Sequence, residues 1–286
     1  MPAVNDKNSD DINDLIDAQN KVAAAEEAQR EAEQALKDAE ANGSITQQEH
    51  DELQDLQDKV VEAKQAAQEA INLLDPSKDK EGLQAKLGEV DGIVVPEVTD
   101  STGDGLDDTL AQQVQDAIDK AKDAEQAAKD ALEDAQKDGV ITPEEQQTII
   151  DANKALEDAK QEAKDKIDQL PDSTGKTELQ EQLDQIGGGV DVPEVTDKDG
   201  DGVDDATAKA IQDLINEAKA AEEAANKALE DAKGEDGLIT PTEQQAIEKA
   251  NQAVADAKDK AQQEINKLDP SKGKETLQVI LMRLMG

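Results

Sequence analysis

Apolar residues recur along this chain in steps of three and four. From about Thr109 to Lys137 they fall at Val114, Ile118, Ala121, Ala124, Ala128, Leu132 and Ala135. That spacing gathers them into one narrow stripe on an α-helix. The same stripe returns at Ile211, Ile215, Ala218, Ala221, Ala225, Leu229 and Ala232. A second long helix follows each of these. Its stripe is Ile149, Ala152, Leu156, Ala159, Ala163, Ile167 and Leu170, and again Ile247, Ala250, Val254, Ala257, Ala261, Ile265 and Leu268. A third copy is Leu53, Leu56, Val60, Ala63, Ala67, Ile71 and Leu74. Seven positions stay apolar in all three copies, which reads as a packed seam rather than a ligand-lined cavity. Between the stripes the chain is rich in Ala, Glu, Lys, Gln and Asp, residues that suit or tolerate a helix.

Stop and start signals mark the turn between the two long helices. Asp138-Gly139 ends the first, with glycine suited to the left-handed position after a helix. Thr142-Pro143-Glu144-Glu145 starts the second, with Thr142 as N-cap, Pro143 in the first turn and Glu145 closing a capping box. Asn42-Gly43 with Thr46 and Glu49, and Thr240-Pro241 with Glu243, predict the same turn twice more. A Pro-Ser or Pro-Asp-Ser turn at Pro76, Pro171 and Pro270 leads into a short third helix, with Leu83, Leu87 and Val90, or Leu179, Leu183 and Ile186, facing inward.

Repetition sets the architecture. Val-Pro-Glu-Val-Thr-Asp stands at Val95–Asp100 and at Val192–Asp197, 97 residues apart, and Ala-Leu-Glu-Asp-Ala at Ala131–Ala135 and Ala228–Ala232 has the same offset. Three units of roughly 95 residues fill the chain. The predicted fold is all-α: a tandem array of three elongated three-helix bundles, residues 1–95, 96–192 and 193–286, joined by short extended acidic, proline-containing linkers. Val94, Val95 and Val98 mark the first linker as an extended strap lying on the bundle or on the next unit, since a flexible linker would be polar and rich in Gly and Ser. With helices of about 45 Å, three stacked units would reach roughly 130–150 Å. The end of the chain departs from the pattern. Val279, Ile280, Met282 and Met285 add apolar surface that the other copies lack, and the segment reads as a truncated open end, with a docking patch as the alternative.

Composition narrows the function. The 286 residues hold 70 Asp and Glu against 30 Lys and Arg, a formal charge of −40, with no Phe, Tyr, Trp or Cys. Without aromatics the core must be thin and alanine-based. Without cysteine there is no disulfide framework or thiolate site. The charge argues against nucleic acid, which requires basic surface, and against an anionic membrane. No apolar run is long enough for membrane insertion. The single histidine, His50, sits among Glu49, Asp51 and Glu52, too few N or S ligands for zinc, and is expected to be an exposed helix position. The many carboxylate pairs read as solvated faces, because nothing apolar surrounds them to shift a pKa. The chain is expected to be no enzyme.

One pattern points to chemistry. From Asp197 to Asp205, acidic oxygens fall at loop positions 1, 3, 5 and 9 (Asp197, Asp199, Asp201 and Asp205), with Gly200 and Gly202 between them and the Val203 carbonyl at position 7. Ca²⁺ takes six to eight oxygens, and glycine at position 6 allows the turn that brings them round. Position 12, where an EF-hand has its bidentate Glu, is Ala208. The second loop has Asp100, Thr102, Asp104 and Asp108, with Gly105 at position 6. The first has Asp6, Asn8, Asp10 and Asp14, but Asp11 where the glycine should be. These residues are the candidate calcium ligands. With ligands missing, affinity is expected at the weak, extracellular end of the range. The bland alternative is an acidic turn ahead of a helix, where Asp suits the dipole.

The loops are similar to the Asp-x-Asp-x-Asp-Gly loops of thrombospondin type-3 repeats. The whole pattern, Cys-free acidic three-helix units alternating with Val-Pro-Glu-Val-Thr-Asp and Asp-Gly-Asp-Gly loops, resembles the GA-like repeats of large bacterial surface adhesins of the calcium-binding RTX or biofilm-associated kind. The resemblance implies secretion or a cell-surface location, an extender role, and rigidity assisted by Ca²⁺ at the inter-repeat loops. The neighbouring repeats are then the main partners. A second reading is a three-helix binding module for a host serum protein or a partner helix. An apolar cluster shared by all three units outside the seam would mark it. The albumin-binding module is about half this unit's length, and its function is not carried over.

Overall fold

The computed structural model describes residue 7 and residues 13–234 and 237–284. Among the described residues there are nine α-helices and no strand, in three sets of two long helices and one short. The first set is α1 (Asp14–Ala39), α2 (Gln47–Leu73) and α3 (Lys78–Gly88). The second is α4 (Asp108–Ala135), α5 (Pro143–Asp168) and α6 (Thr174–Asp184). The third is α7 (Asp205–Lys233), α8 (Pro241–Lys267) and α9 (Lys272–Arg283). The all-α array of three three-helix repeats read from the pattern is the fold of the chain.

The stripes form the seams. In the first repeat α1 packs along α2, with α3 against both. Ala18, Ala25 and Ala32 of α1 are fully buried, as are Ala67 and Ile71 of α2, and Leu87 of α3 closes the cluster. Alanine at the contact lets helix axes approach closely, so a thin core still excludes water. In the third repeat Ile211 and Ile215 of α7 meet Ala261 and Ile265 of α8 and Leu277 and Leu281 of α9.

The helix ends follow the local chemistry. Gly43 and Gly139 take φ of 83° and 81°, the left-handed values a side chain resists. Thr46 accepts the Glu49 N–H at 3.2 Å while the Glu49 carboxylate accepts the Thr46 N–H at 2.9 Å. Thr142 with Glu145 and Thr240 with Glu243 repeat that capping box. The short helices carry a device that sequence inspection passed over. Ser77, Ser173 and Ser271 cap them by accepting the N–H of Lys80, Lys176 and Lys274. The same three lysine ammoniums reach back to the Leu74, Leu170 and Leu268 carbonyls left open at the end of the preceding helix.

The chain divides into two compact units, Met1–Ala121 with Ala159–Ile186, and Lys122–Asp158 with Gly187–Gly286. The division passes through α4 and α5. The connection from the first repeat to the second therefore lies in one unit, and that from the second to the third, from Gly187 onward, in the other.

Candidate functional site

After α3 and after α6 the chain runs as an extended strap back along its own bundle. In the first unit Lys64 donates to the Val90 carbonyl where α3 ends. The Gln29 and Gln57 side chains then accept the N–H groups of Gly92 (3.3 Å) and Ile93 (2.7 Å). Successive residues of an extended chain point to opposite sides. Ile93 and Val95 accordingly pack on Ala39, Ile45 and Leu53, while Val94, expected on the bundle, is 87 % exposed. His50 is half-buried rather than free on its helix, with Nδ1 2.8 Å from the Pro96 carbonyl, where it acts as donor. In the second unit Gln146 Nε2 makes the same bond to the Pro193 carbonyl at 2.8 Å.

The strap ends by closing on the turn between the two long helices. The N–H groups of Thr99 and Asp100 share the Ile45 carbonyl at 2.9 and 3.0 Å, and Ile45 N–H donates to Thr99 Oγ1 at 3.0 Å. Thr196 and Asp197 share the Ile141 carbonyl at 2.9 and 3.0 Å, and Ile141 N–H donates to Thr196 Oγ1 at 2.9 Å. The acidic loops begin at these same aspartates, Asp100 and Asp197. Each joint is thus a main-chain latch between the turn of one bundle and the loop opening the next.

Asp100 and Asp197 are both fully buried. Asp197 Oδ1 accepts the N–H of Gly200 (2.8 Å) and Asp201 (3.2 Å), and Oδ2 that of Gly202 (2.8 Å). Asp100 does the same for Gly103, Asp104 and Gly105 and takes the Thr102 hydroxyl as well. A buried carboxylate is tolerable because inward-pointing N–H dipoles replace its water. Gly105 and Gly202 have φ of 84° and 83°, so the position-6 glycine is required by the backbone.

The fifth loop position does other work. Asp201 Oδ1 accepts the Val203 N–H at 3.0 Å, and its main-chain carbonyl accepts the Gly273 N–H at 2.9 Å. A Cβ at Gly273 would meet the Asp201 carboxylate at 2.4 Å. Asp104 repeats this with Leu106 N–H (2.9 Å) and Gly175 N–H (3.1 Å), and a Cβ at Gly175 would meet it at 2.6 Å. The loop therefore sits on the first turn of the short helix, and Val203 and Leu106 are buried below it. The corresponding seat in the first repeat is filled by Asp79, in the repeat whose loop also lacks the position-6 glycine.

Of the candidate ligands in the third loop, Asp197, Asp199 and Asp205 converge, offering oxygens within 4.8 Å of one another, and they are the one such group among the described residues. Asp201 lies outside that group. Asp205 also takes the Lys198 N–H at 3.3 Å and faces the Lys198 ammonium at 3.6 Å. Desolvation in the loop, then the Asp201 carboxylate and a hydrogen bond with Asp197, hold the Asp199 carboxyl above the usual aspartate range, against the Asp201 N–H that lowers it. In the second loop Asp108 accepts the Ser101 N–H and hydroxyl instead of joining a cluster. In the first, Asp6, Asn8 and Asp10 lie outside the described residues. Asp14 is buried; its Oδ1 accepts the Lys7 N–H at 2.9 Å, and its Oδ2 has no hydrogen-bond partner among the described residues.

The class is therefore a tandem all-α array whose distinctive features are its joints. The GA-like domain family model matches three times, over residues 15–109, 111–206 and 208–285. The chain belongs to the GA-like domain family. No curated protein and no solved structure matches it. GA-like repeats are structural or binding modules. Among the described residues no helix is long and apolar enough to cross a membrane.

Proposed function

We propose that this chain is a non-enzymatic extender segment of a secreted or cell-surface bacterial adhesin, with Ca²⁺ stiffening the joints between repeats. The observation that carries the reading is the joint itself. It is built twice from different stretches of chain, with the same hydrogen bonds at nearly the same lengths. A spacer needs a fixed geometry between neighbours, and a latch of main-chain bonds supplies it without fixing side-chain identity elsewhere. Binding modules of independent action need no such joint.

Calcium enters through the third loop. Asp197, Asp199 and Asp205 would hold the ion, and the Asp199 carboxyl, held above its usual range by desolvation and then by the Asp201 carboxylate, gains by receiving a divalent counter-charge. Missing ligands would be supplied by water and main-chain carbonyls, which places the affinity in roughly the 10⁻⁴–10⁻³ M range of extracellular modules.

The test is a calcium titration followed by thermal unfolding and small-angle scattering, against magnesium and sodium chloride at matched ionic strength. Controls are needed because any salt screens a charge of −40. Calcium should raise the melting temperature and narrow the spread of particle lengths beyond either control, and Asp199→Ser should remove the difference. Equal curves in all three salts up to several millimolar would end the calcium half of the proposal. A scattering profile of freely jointed repeats in every condition would end the extender half.

A further inference from the structure

Four aspartates are buried among the described residues, and they are of two kinds. Asp100 and Asp197 each collect three main-chain N–H groups inside their loops. Asp14 and Asp17, at the start of α1, do not. Asp14 is 2 % exposed and Asp17 7 %. Asp14 Oδ1 takes the Lys7 N–H at 2.9 Å. Asp14 Oδ2 and Asp17 Oδ2 are both shut off from solvent, with no hydrogen-bond partner among the described residues.

The nearby donors are spent elsewhere. The Leu15 N–H goes to Asn13 Oδ1 and the Asp17 N–H to the Asn13 carbonyl, as the helix cap requires. The Lys7 ammonium turns to the Leu73 carbonyl at 2.8 Å and to Asp75 at 3.0 Å. Lys21 Nζ stands 3.3 Å from Asp17 Oδ2. One ammonium beside two buried carboxylates leaves a negative charge over, and an uncompensated buried charge is costly. The helix dipole favours acids at this end, but its charge of about half a unit does not replace the water that two carboxylates have lost. The pair is also peculiar to the first repeat. With the buried stripes in register, Ala18 and Val22 against Val114 and Ile118, Asp14 and Asp17 answer to Leu110 and Gln113 of α4. Against Ile211 and Ile215 they answer to Thr207 and Ala210 of α7.

We propose that Asp14 and Asp17 hold a hard divalent cation between their Oδ2 atoms, at a site separate from the third loop. Residues three apart on a helix share a face, with Cβ atoms about 5–6 Å apart. Two carboxylates so placed reach a common ion at the roughly 2.0–2.6 Å oxygen distances of Mg²⁺ and Ca²⁺, with water and main-chain carbonyls completing its shell. The ion supplies the positive charge that the donors around the pair leave wanting. Asp14 Oδ1 keeps its bond to the Lys7 N–H, and Lys7 Nζ keeps the end of α2. The bound ion therefore staples the first turn of α1, through Lys7, to the last turn of α2. This inference does not rest on calcium at the third loop, and either can fail alone.

The experiment uses the whole chain carrying Asp199→Ser, which silences the third-loop candidate. Calcium and magnesium chloride are titrated separately by isothermal calorimetry, in sodium chloride high enough to screen the surface charge. One saturable divalent ion per chain is expected. Adding Asp17→Asn should weaken its binding by about ten-fold or more. Asp14→Asn, which keeps an oxygen for the Lys7 N–H, should do the same and serves if the first variant folds poorly. Hydrogen exchange over Leu15–Val22 gives a readout that a purely structural acid would not move. In EDTA either Asn variant should slow exchange there, because it relieves the repulsion between two buried charges. In saturating cation it should speed exchange relative to its parent, because the ion has lost a ligand. No saturable ion in the Asp199→Ser chain, equal binding with both Asn variants, or an exchange change of the same sign with and without the cation would each overturn the proposal.

Discussion

Two aspartates, Asp100 and Asp197, hold the loops in shape from inside. Each receives three main-chain N–H groups in a place water does not reach. Removing the acceptor strands those donors. Asp197→Ala should therefore cost on the order of 3 kcal/mol, measured by urea unfolding of the whole chain. Gly273 is a second point of control. Gly273→Ala thrusts a methyl into the Asp201 carboxylate and should cost about 1–3 kcal/mol, although alanine is the better helix former. The same measurement checks it, and an unchanged midpoint would mean the loop does not sit on α9. The spacing of acidic residues was readable from the chain. Their division of labour was not: the neighbour that turns Asp201 from ligand candidate into a seated residue lies some seventy positions downstream, with nothing local to announce it.

Among the elements, the strap matters most. Its alternating side chains place Ile93 and Val95 inward, but its hold on the bundle is polar: amide side chains on α2 and α5 gripping main-chain groups. Thr196→Val should leave the strap's apolar contacts in place and remove the hydroxyl oxygen that accepts the Ile141 N–H. We expect a loss of about 1 kcal/mol and faster hydrogen exchange at the Ile141 amide, with the interior of α5 unaffected. His50 and Gln146 are interchangeable in this scheme, since each needs only one N–H aimed at a proline carbonyl. Reading His50 as a solvated surface residue failed because its partner, Pro96, is brought over it by the return of the strap. The long helices were fully legible, because capping boxes, glycine stops and seven-position seams are local signals that agree with one another.

For the molecule as a whole, pH and calcium should compete at the third loop. A carboxyl whose folded-state pKa lies above its unfolded value favours the folded state most when protonated. For Asp199 that contribution is present in acid and is lost as pH rises through the elevated value. Calcium reverses the sign, since it binds the ionised form. The melting-temperature increment from calcium should be near zero around pH 4 and reach a few degrees near pH 7. At about ten times the dissociation constant the gain is roughly 1.4 kcal/mol. An increment that does not change with pH would show that the ion acts by general screening of the acidic surface. The surface pairs will not supply this effect, because exposed ion pairs at i,i+4, such as Lys209–Asp213, are worth about 0.3–0.5 kcal/mol each.

What the sequence settled by itself was the helical repeat: its period, its seams, its caps and its thin alanine core. Each depends on neighbours within a turn or two, or on the recurrence of the same string. What the tertiary structure alone decided was the joint. Closing the strap on Ile45 and Ile141 and seating the loops on Gly175 and Gly273 both join segments far apart in the chain. Such contacts form only once the bundle exists to turn the chain back on itself.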